Sequence, residues 1–126
     1  MSLYDTRFFF EHYYTRNKDI AEKTKMELKS KGRKYISVIT IHEIYKLTLE
    51  KEGKEVAKIR INLLKKDFNV IPVDEKVAKV SAELRHKYRI PMADSIIAAT
   101  AKILRLICIT DDPHIKQIRE IRTRWI

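Results

Sequence analysis

The chain has 126 residues, which suits one domain with its own core, and its 44% hydrophobic and 35% charged content is that of a soluble globular protein rather than a disordered or membrane-embedded one. No apolar run reaches the roughly 18 residues that a membrane span needs, and Asp5 and Arg7 interrupt the apolar N-terminus, so no signal peptide or membrane partner is expected and the cytoplasm is the default location. Cys108 is the single cysteine, which excludes an internal disulfide, and the net charge of +10 suits a surface for a polyanion such as nucleic acid, or else a heat-adapted Lys/Glu/Ile-rich surface with a basic tilt.

In chain order, a very short strand is expected at Ser2–Tyr4, followed by helices over Thr6–Thr15 and Lys18–Ser30, the second stopped by Gly32. Tyr35–Ile39 is rich in β-branched residues and reads as a buried strand. Thr40 then opens a helix to about Gly53, and Lys54–Lys66 forms another, with Val56, Ile59, Leu63 and Leu64 near helical period. A strand over Phe68–Val73 precedes a helix over Glu75–Tyr88. Pro91 starts the next helix, Met92–Leu104, which is apolar nearly all round and so should be central. Leu106–Ile109 is a strand, in which Cys108 acts as a small buried hydrophobe; a short helix begins near Pro113, and Arg122–Ile126 suits an edge strand. Strands alternating with helices imply a three-layer α/β/α sandwich with a four- or five-stranded parallel sheet. No linker, repeat or domain boundary divides the chain, so residues 1–126 are expected to form one domain.

In a parallel sheet every strand ends on the same edge, and ligands bind there. Asp5 follows the first strand, Glu43 lies one turn into the helix after the second, and Thr110, Asp111 and Asp112 follow Leu106–Ile109. Asp94 opens a helix that returns antiparallel to the strands, so its first turn reaches the same edge. Each acid taken alone has a plainer explanation. Thr40 to Glu43 has capping-box spacing, Asp112-Pro113 looks like an N-cap with a first-turn proline, Asp94 suits a helix dipole, and Asp5 suits a cap. Their joint placement argues further, because crowded carboxylates raise one another's pKa unless a cation sits among them. An all-oxygen acidic set suits Mg²⁺ or Mn²⁺; zinc is disfavoured, because no cysteine or histidine pair has ligand spacing. A metal held there would acidify a water and stabilise charge on a phosphodiester, with lysines and arginines holding the polyanion.

The segments Leu3-Tyr4-Asp5-Thr6, Glu43, Pro91-Met92-Ala93-Asp94-Ser95-Ile96-Ile97-Ala98-Ala99 and Ile107-Cys108-Ile109-Thr110-Asp111-Asp112 resemble a PIN domain, specifically a VapC-like toxin of a type II toxin–antitoxin pair. The resemblance spans nearly the whole chain, and the Asp94 segment and the Thr110-x-Asp112 turn are its more specific parts. It implies a metal-dependent endoribonuclease in which Asp5, Glu43, Asp94 and Asp112 form the catalytic acidic quartet. It also implies Thr6 and Thr110 as supporting hydroxyls, an RNA substrate, a homodimer, and a small antitoxin that blocks the site. Asp111, at the variable position, is a second candidate for the fourth acid. One departure stands out: the family usually has asparagine two residues after the first aspartate, where this chain has Arg7. An arginine there can pair with Asp5 or Asp94, compete with the metal, or hold a substrate phosphate.

The remaining features favour structural roles. His114, two residues past Asp112, is read as a cap-region histidine over a substrate contact, and His42 sits on another face than Glu43. Phe8-Phe9-Phe10 and Tyr13-Tyr14 are read as core or dimer contact over base stacking. The basic run Lys116–Arg122 is a solvated face, and Trp125 packs the last strand. Besides the toxin, two other readings stand: an RNA-processing nuclease on the same fold, and a catalytically weak RNA- or protein-binding module with Arg7 where the metal should be. A phosphoacceptor domain fits poorly, for want of a lysine facing the acids.

Overall fold

The structure is a computed structural model that describes residues 1–126. Five parallel strands, β1 (Ser2–Tyr4), β2 (Lys34–Ser37), β3 (Asn69–Ile71), β4 (Ile107–Ile109) and β5 (Thr123–Arg124), are arranged in the order β3-β2-β1-β4-β5. Seven helices connect them: α1 (Thr6–Tyr14), α2 (Lys18–Lys29), α3 (Val38–Glu52), α4 (Lys54–Asp67), α5 (Glu75–Tyr88), α6 (Met92–Leu104) and α7 (Pro113–Lys116). The parallel sheet covered on both faces, expected from the alternation of strands and helices, is what the chain forms.

Period-two alternation along the strands separates two cores. Tyr4, Ile36 and Ile109 point to one face and pack with Phe8, Phe9, Ile44, Leu64 and Phe68 of α1, α3 and the end of α4. Leu3 and Cys108, one residue out of phase, point to the other face and pack with Ile97, Ala101 and Ile115 of α6 and α7. Helix α6 is buried from Ser95 to Ala101, as its apolar composition requires. Its small residues let it lie close against the sheet, and that approach carries Asp94 to the sheet edge. Phe8 and Phe9 are fully buried in the core, whereas Phe10, Tyr13 and Tyr14 are half-buried, and Trp125 packs against the same cluster.

Three boundaries differ from expectation. The second strand ends at Ser37, and Val38 and Ile39 belong to α3 rather than to the strand. The Ser37 hydroxyl accepts the Ile39 N–H at 3.2 Å, and this N-cap outweighs the β preference of the two branched residues. Thr40 therefore lies inside the first turn of α3, and the expected capping box with Glu43 does not form. The third strand shortens to Asn69–Ile71, because Phe68 closes α4 with its N–H on the Leu64 carbonyl at 3.1 Å. The expected edge strand exists as Thr123–Arg124, paired with Cys108 and Ile109.

Candidate active site

The C-terminal edge of the sheet gathers the four acids from four elements. Asp5 leaves β1 with its N–H on the Ile109 carbonyl at 3.1 Å, and it is only 2% exposed. It occupies the N-cap position of α1, yet its side chain makes no capping bond. Its carboxylate instead accepts the Thr110 hydroxyl at 2.6 Å, and the same hydroxyl receives the Asp112 N–H at 3.0 Å. Thr110 thereby ties the end of β1 to the turn after β4. On the other side, the Thr6 hydroxyl donates to Glu43 Oε1 at 2.6 Å and lies 3.1 Å from the buried Thr40 hydroxyl. Each threonine thus fixes one oxygen of a carboxylate.

Asp94 lies in the first turn of α6, which has no side-chain cap. Asp112 does cap α7, accepting the His114 N–H at 2.8 Å, so the capping reading was right for this residue. The capping oxygen, Oδ1, is also the one that faces the His114 ring. His114 Nδ1 stands 3.2 Å from Asp94 Oδ2 and 3.3 Å from Asp112 Oδ1. Asp94, Asp112 and His114 thus form a tight group, each offering a ligand atom within 4.8 Å of the others. Sequence reasoning set His114 aside as a cap-region residue. Its position two residues past Asp112, in the first turn of a capped helix, was the available signal.

Electrostatics links this trio to the other acids. Burial pushes the Asp5 carboxyl up to about 7, the Thr110 hydrogen bond opposes this, and the charges of Asp94 and Asp112 add to it. Asp94 rises to about 6, chiefly through burial and then through Asp112, with Glu43 adding to the rise and His114 opposing it. Two carboxyls from different elements thus titrate above the ordinary 3.8, chiefly because they are buried and then because acids crowd them. The donor set, oxygens from Asp5, Glu43, Asp94 and Asp112, fits a hard divalent ion.

Arg7 and Asp111 are brought together. The Arg7 guanidinium binds Asp111 in a fork, Nε to Oδ1 at 3.1 Å and a terminal nitrogen to Oδ2 at 3.3 Å, with Glu11 at 3.9 Å. It pairs with neither Asp5 nor Asp94. Asp111 is thereby engaged by Arg7, and Asp112, not Asp111, joins Asp94 in the tight group. The site is an open edge. A hollow of about 380 Å³, lined by Phe10, His42, Glu43, Lys46, Leu47 and Glu50, adjoins it at Glu43, whereas another of about 330 Å³ lies away from the acids, between Phe9, Tyr13, Leu28 and Leu64.

Residues 3–121 match the PIN domain family. The chain belongs to that family. A VapC ribonuclease of Pyrococcus furiosus is 30% identical over 82 residues, covering 61% of this PIN domain and 54% of the relative, so the match spans about half of that protein's length. Among solved structures, FitAcB from Neisseria gonorrhoeae is 26% identical with a TM-score of 0.78, covering 98% of this chain and 96% of that one. A toxin–antitoxin complex from Klebsiella pneumoniae superposes with a TM-score of 0.77 at 23% identity, covering both chains in full. These likenesses establish the fold, and the acid edge lies where the sheet topology directs it. No helix is long and apolar enough to cross a membrane.

Proposed function

We propose that this PIN domain is a divalent-metal-dependent endoribonuclease, acting with Mg²⁺ or Mn²⁺ as the toxin of a VapBC-type pair. The observation that carries the reading is the convergence of four carboxylates on one open sheet edge, two of them pushed far above the ordinary range. Asp5, Asp94 and Asp112 would hold the ion. Bound there, it supplies an acidified water and neutralises charge building on the scissile phosphate. Glu43, held through Oε1 by Thr6, would take the proton of the attacking water. Thr110 orients Asp5, and Asp111 orients Arg7 at the mouth of the site, where the guanidinium can hold a flanking phosphate. The basic surface, net +10, favours association with RNA.

The VapC ribonuclease relative supports RNA as the substrate, and the toxin–antitoxin neighbours support a small antitoxin as partner. A homodimer and a cytoplasmic location complete the proposal. Arg7 pairs with Asp111 rather than with the metal-site acids, which favours the nuclease over a catalytically weak binding module. Purified wild type and Asp94→Asn are to be incubated with mixed cellular RNA in Mg²⁺, in Mn²⁺ and in EDTA. Cleavage by wild type alone, and only with metal, is expected. Equal cleavage by both proteins, or cleavage in EDTA, would remove the assignment.

A further inference from the structure

Asp94 and Asp112 reach the sheet edge from different elements, yet one imidazole nitrogen stands close to both. The backbone of His114 is pinned by its N–H on Asp112, and buried Ile115 anchors the next residue in the core. The ring itself is half-exposed, and its direction is set by the Asp94 carboxylate across the gap between α6 and α7. Neighbouring ligands of an octahedral ion with bonds of about 2.1 Å lie about 3 Å apart. Nδ1 sits 3.2 Å from Asp94 Oδ2 and 3.3 Å from Asp112 Oδ1, close to that spacing, and the group lies within 4.8 Å overall. A surface ion pair requires proximity to one carboxylate. The approach to Asp112 follows from the cap of α7, whereas the approach to Asp94 joins α7 to α6 and brings three possible ligand atoms within 4.8 Å of one another.

We propose that His114 is a nitrogen ligand, completing with Asp94 and Asp112 a mixed nitrogen–oxygen site that takes Mn²⁺ in preference to Mg²⁺. The inference rests on the metal-dependent reading of the acid edge and deepens it by naming the ion. Magnesium favours an all-oxygen shell and keeps its waters, whereas affinity at sites containing imidazole rises from manganese along the first transition row. A nitrogen donor therefore tilts this centre away from magnesium.

Pulsed electron paramagnetic resonance of Mn²⁺ bound to the full chain tests this without any substrate. Wild type is expected to show nitrogen modulation from a coordinated imidazole. His114→Ala should abolish that modulation and weaken Mn²⁺ binding about 10-fold or more, with Mg²⁺ binding little changed. His42→Ala, which alters an exposed histidine beside Glu43, should retain the modulation. Bound Mn²⁺ without nitrogen modulation in wild type, or modulation surviving His114→Ala, would overturn the ligand assignment while leaving a metal site in place. Failure of wild type to bind Mn²⁺ at all would overturn the metal-dependent reading together with it.

Discussion

At the C-terminal end of α1, Arg60 donates to the Tyr14 hydroxyl and to Glu52, both at 2.7 Å, and to Thr48 at 3.3 Å, with its guanidinium 4.1 Å from the Tyr13 ring centre. At the N-terminal end, Asp5 and Asp94 face further carboxylates and a histidine. The first cluster favours its charged forms: Glu52 is held below the ordinary range by the Tyr14 and Arg60 hydrogen bonds. The second disfavours them, burial and neighbouring acids driving Asp5 and Asp94 upward. One end of the helix uses charge to tie α1, α3 and α4 together. The other leaves its carboxylates to be neutralised by a proton or a cation, which is how a binding site differs from a structural contact.

The sharpest way to separate the two ends is Asp94→Asn. It should cut RNA cleavage by about 1,000-fold or more, on the scale of losing a group that stabilises charge in the transition state, without lowering the unfolding midpoint. Next in size is the pH dependence of the metal-free protein. Asp5 titrates near 7 when folded against an ordinary 3.8, so the folded state binds the extra proton between those values and stability falls as pH rises through the window. The full loss is about 4 kcal/mol by linkage. Asp5→Asn should flatten that fall in thermal unfolding from pH 4 to pH 8, and saturating Mn²⁺ should reverse it in wild type only.

Arg60→Ala tests the opposite end. Loss of its stacking and hydrogen bonds should lower stability by about 1–3 kcal/mol, measured by urea unfolding, with cleavage by the remaining folded protein unchanged. Smallest is Arg7→Ala. Its exposed pair with Asp111 should cost under about 0.5 kcal/mol in stability. If Arg7 holds a flanking phosphate, KM for RNA should rise several-fold with kcat nearly constant.

Much of this arrangement was legible in the residues. The strand ends at Tyr4 and Ile109, the buried α6 and the parallel sheet rule together place Asp5, Asp94 and Asp112 on one edge. The start of α3 was not legible, because a single Ser37 hydroxyl decides it against the preference of Val38 and Ile39. Nor was the bond from Thr6 to Glu43, which joins residues far apart in sequence through the contact of α1 with α3. The approach of His114 to Asp94 depends on how α7 packs against α6, and the Arg7–Asp111 fork on how the turn after β4 meets α1, neither of which a local pattern encodes.

The central claim, that the acid edge is a metal site, is tested most directly by titrating Mn²⁺ into wild type and Asp94→Asn calorimetrically at pH 6.5, in buffers of different ionisation enthalpy. Wild type should bind and release protons, because Asp5 and Asp94 hold them near that pH until the ion arrives. Asp94→Asn should bind far more weakly. Equal binding by both proteins, or binding by wild type with no proton release, would contradict the account.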